Sequence, residues 1–223
     1  MRVGSRAGPD RITNGKGRKE RDMKNKALIL GSVSMLFVLS MSAGAWAAVP
    51  PIAVNPLDNP GFETGDFSGW TVDLGWDEEG IANVVTSHEN KFGDVTYGPV
   101  YGEYFVELVA GIAGSETSCS QTVYLKKGDK LEGWAAFDAW DHYPYFNDCA
   151  NVFIYNTHPI TVTEYPWYAD IMEEGSYCTT PWTRWEWVAP SADWYTVEYR
   201  VFNDVDNSED SCGLFDGKLV VRQ

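Results

Sequence analysis

Beyond residue 47, clusters of Gly, Pro, Asn and Asp cut the chain into runs of five to nine residues rich in β-branched and aromatic side chains. Runs that short cannot supply an amphipathic helix of ordinary length, and their composition is that of strands. The pattern predicts strands over Val54–Phe62, Tyr104–Val109, Ser120–Leu125, Lys130–Phe137, Ala150–Tyr155, Trp182–Val188, Tyr195–Phe202 and Leu214–Val221. A further strand is expected after Trp70, and residues 83–102 read as a long loop or hairpin. Eight main antiparallel strands fit a two-sheet jelly-roll β-sandwich. In sequence order, strands one, eight, three and six are then expected in one sheet, with two, seven, four and five in the other. The stretch Asn59–Trp70, NPGFETGDFSGW, reads as a strand that leaves its sheet, turns at Glu63 and drops Trp70 into the core.

The first 47 residues are of a different kind. Residues 1–22 are basic and Gly-rich without hydrophobic period, and read as an extension that is disordered or not translated. Residues 23–47 carry a basic start, an apolar run and Ala45-Trp46-Ala47, the three parts of a secretory signal with cleavage near Ala47. The expected product is a secreted, periplasmic or extracellular protein of one domain, residues 48–223, that does not span a membrane. These 47 residues hold nine of the 17 Lys and Arg and three of the 32 Asp and Glu, so the rest carries eight basic and 29 acidic residues. A net charge of −21 over 176 residues repels nucleic acid and anionic lipid, and favours cations and neutral ligands.

Four segments, NPGFETGDFSGW, SQTVYLKKGDKLEGWAAF (Ser120–Phe137), PYFND (Pro144–Asp148) and FDGKLVV (Phe215–Val221), resemble the galactose-binding-like jelly rolls. That superfamily includes many bacterial carbohydrate-binding modules and exported modules of proteins with a PEP-type sorting tail. The sequence ends in KLVVRQ, without the Pro-Glu-Pro motif of such a tail. In the family, the Glu of the GFE motif and the Asp of the last strand hold a structural calcium together with backbone carbonyls. The resemblance therefore implies calcium at Glu63 and Asp216, with Gly217 standing where members often have a further oxygen ligand. The acidic loop Asp204–Asp210 lacks the central Gly of a calcium loop and has Phe215 at the twelfth place, so it reads as solvated.

Strand direction alternates in such a sandwich, which puts the starts of alternate strands at one end. All four cysteines follow the signal, and an even count there reads as two disulfides. With the strand order above, Cys119–Cys149 and Cys178–Cys212 is the pairing that keeps each bridge at one end.

The period of two also sorts side chains onto faces. It points Trp134 of the fourth strand, Arg200 of the seventh, Glu107 of the second, and Asn151 and Tyr155 of the fifth outward on one expected sheet. Rings for the apolar faces of a sugar, with carboxylate, amide and guanidinium for its hydroxyls, describe a carbohydrate-binding surface. Burying about 100 Å² of one ring is worth roughly 2.5 kcal/mol, so binding of single sugars is expected to be weak. His88, His142 and His158 lie in separate expected loops and belong to no catalytic or metal motif, so no enzyme activity is expected. The function expected is non-catalytic, calcium-stabilised carbohydrate binding. The alternative is a structural or adhesive envelope protein that uses the aromatic face against a protein partner, with a polysaccharide-degrading enzyme behind both.

Overall fold

The computed structural model describes residues 57–157, 159–205 and 210–217. The expected leader, positions 54–56 of the first expected strand, positions 218–221 of the last, His158 and the centre of the acidic loop at 206–209 lie outside the described residues.

Among the described residues, twelve strands form two five-stranded antiparallel sheets and one small hairpin. One sheet runs β1 (Thr71–Asp73), β6 (Glu116–Leu125), β11 (Asp193–Phe202), β8 (Cys149–Asn156) and β9 (Thr163–Asp170). The other runs β10 (Thr183–Val188), β7 (Lys130–Asp138), β12 (Cys212–Asp216), β5 (Phe105–Val109) and β2 (Ile81–Val85). The hairpin pairs β3 (His88–Glu89) with β4 (Thr96–Tyr97). Among the described residues, one four-residue helix, α1 (Ile171–Glu174), follows β9, and Asp170 caps it by accepting from the Glu173 N–H. No helix there is long and apolar enough to cross a membrane.

The jelly roll is present, with its strand count corrected. Its eight main strands are β5 to β12 in order, with the first, eighth, third and sixth (β5, β12, β7, β10) in one sheet and the second, seventh, fourth and fifth (β6, β11, β8, β9) in the other. Residues 57–62 form no strand, and Thr163–Asp170, a strand the sequence pattern did not single out, takes the fifth place. Every strand from Tyr104 to Tyr155 is therefore one place earlier than expected, which moves β5, β6 and β7 to the opposite sheet while β8 stays beside β11. The expected hairpin within residues 83–102 is β3 and β4, and the strand after Trp70 is β1.

Alternation builds the core. In β7, Leu131, Gly133, Ala135 and Phe137 face inward, and in β11 Tyr195, Val197, Tyr199 and Val201 do. Tyr199 stacks on Phe215 of the facing sheet at 4.6 Å with rings 2° from parallel, and on Trp70 at 5.0 Å. Phe62 continues the column at 5.2 Å from Trp70. The Asn59–Trp70 segment thus plugs the sandwich rather than joining a sheet. Phe62 is fully buried although its φ is 59°, a backbone region that bulky residues avoid, so packing holds it there. The Trp70 Nε1–H donates to the Asn59 carbonyl at 3.0 Å, and the Asn59 Nδ2 donates to Thr64 Oγ1 at 2.6 Å, closing the turn. A Cβ on Gly61 would come within 2.3 Å of the Gly217 carbonyl oxygen, so this plug admits only glycine there.

Candidate functional site

The outer face of the β1-β6-β11-β8-β9 sheet brings together three of the five expected ligand-binding residues. Ser118, Arg200, Asn151 and Tyr168 stand directly across from one another on β6, β11, β8 and β9. The neighbouring rows contribute Phe153 opposite Glu198, and Tyr155 opposite Thr196.

Strand β9 supplies two rings that the sequence pattern missed. Tyr165 and Tyr168 are three residues apart, and a regular strand would point them to opposite faces. Between Val152 and Ile154 the pairing slips by one, so that Val152 faces Trp167 and Ile154 faces Glu164. The extra residue falls at Tyr165-Pro166, and this bulge turns Tyr165 outward, where it stacks on Phe153 at 4.8 Å. Pro166 is tolerated because β9 is an edge strand and this position is bulged. Tyr165 and Tyr168 remain 51% and 44% exposed.

Arg200 is the polar centre. Its Nε–H donates to Asn151 Oδ1 at 3.0 Å, its guanidinium lies 4.2 Å from the Phe153 ring centre, and Nη1 lies 3.3 Å from Glu116 Oε2. Nη2 donates to the Tyr165 hydroxyl at 3.4 Å. Three of its five N–H donors are thus engaged among the described residues, and two remain for a ligand. Burial pushes the Glu116 carboxyl above its ordinary range, with Arg200 opposing and Glu198 and Asp73 adding to the rise. Burial likewise lifts the Cys149 thiol to about 11 and the Tyr168 phenol well above its usual value. That phenol stays a neutral donor, to Asp170 Oδ2 at 2.9 Å. Together Glu116, Cys149, Asn151, Tyr165, Tyr168, Arg200 and Phe202 line a groove of about 400 Å³.

No family model matches the sequence, and no curated protein matches it. Solved structures with a similar sandwich do exist. The chain is similar to TmCBM61, a structure solved in complex with β-1,4-galactotriose, at 20% identity and a TM-score of 0.46, over 76% of this chain and 99% of that one. A family 16 carbohydrate-binding module matches at 18% identity and a TM-score of 0.40, over 75% and 100%. The CBM22-1 xylan-binding domain from Paenibacillus barcinonensis Xyn10C matches at 12% and 0.39, over 70% and 87%.

The other two expected ligand residues lie elsewhere. With β5 and β7 in the opposite sheet, Trp134 and Glu107 face away from Arg200, on the far side of the sandwich. Trp134 meets the edge of Tyr101 at 4.7 Å and stands across from Arg184 and Asp216. Glu107 Oε1 lies 2.6 Å from His88 Nδ1, while its Oε2 accepts from Asn83 Nδ2 at 3.2 Å. The single surface expected to hold all five residues is therefore two surfaces.

Glu63 and Asp216 both cap backbone amides of the loop at residues 100–104. Glu63 accepts from the Glu103 and Tyr104 N–H groups, and Asp216 from those of Val100, Tyr101 and Gly217. Burial lifts the Asp216 carboxyl to about 6, backbone donors oppose the rise, and Glu63 adds to it. Glu63 Oε1 and Asp216 Oδ2 each accept two of these N–H groups, whereas Glu63 Oε2 and Asp216 Oδ1 each accept one and keep a lone pair that a hard cation could use.

The expected disulfides are absent, and all four thiols are free. Cys119 lies opposite Tyr199 and Cys149 opposite Phe202, so β11 stands between them. Cys212 and the Thr179 neighbour of Cys178 flank Asp138 from opposite sides, so β7 stands between that pair. Two strand spacings amount to about 9.5 Å, beyond the ~7 Å that a disulfide bridges.

Proposed function

We propose that this chain is a non-catalytic carbohydrate-binding module whose ligand lies across the outer face of β11, β8 and β9. The observation that carries the reading is the pair of exposed rings, Tyr165 and Tyr168, set beside the Arg200–Asn151 pair in one open groove. A sugar presents C–H faces that pack on aromatic rings, and hydroxyls that need both donors and acceptors. Tyr165 and Tyr168 offer the first. The spare N–H groups of Arg200 donate, and Glu116, 39% exposed at its side chain, accepts. Each ring that loses about 100 Å² to a sugar contributes roughly 2.5 kcal/mol before association costs, so two rings suit a chain of sugars better than a single one. The net charge of −21 beyond residue 47 favours neutral over acidic glycans.

A structural calcium between Glu63 and Asp216, and export through the leader, belong to the same reading. Glu63 and Asp216 would hold the ion with backbone carbonyls of the adjoining turns, and it would favour the charged form of Asp216 that burial now opposes. A polysaccharide pull-down and calorimetric titration with neutral oligosaccharides, calcium present, tests the whole. Binding that is clearly weakened in Tyr165→Ala and in Arg200→Met supports it. No retention on any neutral polysaccharide by folded protein, or retention unchanged in both variants, overturns it.

A further inference from the structure

The second sheet gathers a set of side chains that the carbohydrate site does not use. Cys212 of β12 stands directly across from Asp138 of β7, and both point to the outer face. The β3-β4 hairpin lowers His88 onto them. His88 Nε2 lies 3.0 Å from Asp138 Oδ2, and Nδ1 lies 2.6 Å from Glu107 Oε1. One nitrogen, one carboxylate oxygen and one sulfur, from His88, Asp138 and Cys212, all fall within 4.8 Å of one another. All three residues are buried, yet His88 and Cys212 line a cleft of about 570 Å³ together with Glu107, Trp140 and Asp210.

We propose that His88, Asp138 and Cys212 form a transition-metal site of the zinc class, with Glu107 as the carboxylate that orients His88. Imidazole, thiolate and carboxylate are the donors of such a cation, whereas a calcium ion takes oxygen alone. Zn–N, Zn–O and Zn–S bonds of about 2.0, 2.1 and 2.3 Å place neighbouring donors of a tetrahedron about 3.3 to 3.6 Å apart. The His88–Asp138 separation is already close to that, and Cys212, within 4.8 Å of both, needs to close by at most about 1.5 Å. The hydrogen bond from Nδ1 to Glu107 fixes the tautomer that leaves Nε2 as ligand, the arrangement that commonly supports zinc-bound histidine. Binding releases the Nε2 proton of the imidazolium and the thiol proton of Cys212 to solvent, and no redox change is involved. The cleft leaves the fourth position to water.

The alternative arrangement of the same groups is an imidazolium held between two carboxylates, with a thiol nearby and no metal. Cobalt(II) separates the two. Untagged, reduced, chelator-stripped protein titrated with cobalt should take up one equivalent, with the strong near-ultraviolet sulfur-to-cobalt absorption and the visible bands of a tetrahedral ion, both erased by zinc. Zinc at a hundredfold excess over its Kd should raise the melting temperature by about 5 °C or more. Cys212→Ser should abolish the sulfur-to-cobalt band and weaken zinc at least tenfold, whereas Cys119→Ser, at a buried thiol of the other sheet, should leave both unchanged. Glu107→Gln should weaken zinc about tenfold while keeping the band. Absence of the band in the parent chain, or its survival in Cys212→Ser, overturns the site. The cobalt spectrum is independent of glycan binding, so either proposal can fail without the other.

Discussion

The two outer faces of the sandwich use the same sheet geometry to opposite ends. On β11, β8 and β9, tyrosine rings lie open beside a largely buried guanidinium that keeps spare N–H groups. On β5, β7 and β12, the β3-β4 hairpin and the loop around Tyr101 close over the surface, and the ionisable groups beneath are paired among themselves. His88 shows the consequence. Burial alone would lower its pKa, but the hydrogen bonds that the imidazolium donates to Asp138 and Glu107, together with their charges, outweigh it and hold the pKa up to about 9. Tyr97 of the hairpin, its hydroxyl donating to the Thr180 carbonyl at 2.7 Å, packs against Trp182 and helps to seal that side. An open face can exchange water for a ligand at little cost to the fold, whereas a covered one has already spent its polar groups on stability.

That contrast fails first at His88. Without metal, His88→Ala leaves Glu107 and Asp138 facing each other without a cation, and we expect a loss of about 3–5 kcal/mol in urea denaturation. A loss below about 1 kcal/mol would mean that the covered face is not held by its charges. On the open face the expected pattern is reversed. Tyr165→Ala should weaken oligosaccharide binding by up to about 2.5 kcal/mol, less than a hundredfold, while unfolding free energy changes by under about 1 kcal/mol. Equal losses of binding and stability would show that the rings pack the sheet rather than meet a ligand.

Glu63 sharpens the comparison, because it pins the loop that carries Tyr101 over Trp134. Glu63→Ala strands the Glu103 and Tyr104 N–H groups and should cost about 1–2 kcal/mol. Repeating the melt with and without chelator divides that cost. If calcium bridges Glu63 and Asp216, chelation lowers the parent's melting temperature and leaves the variant's unchanged. If amide capping is the whole role, chelation moves neither.

Much of this was legible from alternation alone. The inward sets of β7 and β11 follow directly from the period of two, as does the outward placing of Arg200, Asn151 and Tyr155. What local pattern could not show was which runs pair. Asn59–Trp70 has the composition of a strand end, yet its rings serve the core better as a plug. Thr163–Asp170 carries a proline and an odd spacing of tyrosines, so its period of two is broken by the very bulge that makes it part of the site. Those two errors moved Trp134 and Glu107 to the wrong sheet. The His88 cluster was hidden for a different reason, since its members lie 50 and 74 residues apart along the chain and meet only through sheet register.

The smallest effect expected is none at all, and it bears on both faces. An even set of cysteines after the expected leader argues for bridges, but one strand stands between the members of each expected pair. Reductant should therefore leave the melting temperature of metal-free protein unchanged, and thiol titration in denaturant should count four per chain. In the folded, metal-free state the same thiols should react slowly near neutral pH. Burial lifts Cys149 and Cys178 to about 11 and Cys119 and Cys212 well above their usual value, leaving little thiolate to attack a reagent. Peptide mapping that found Cys119 joined to Cys149 would require β11 to leave its place between β6 and β8. It would undo the row of Arg200 and Asn151 on which the open face depends, while leaving the covered face untouched.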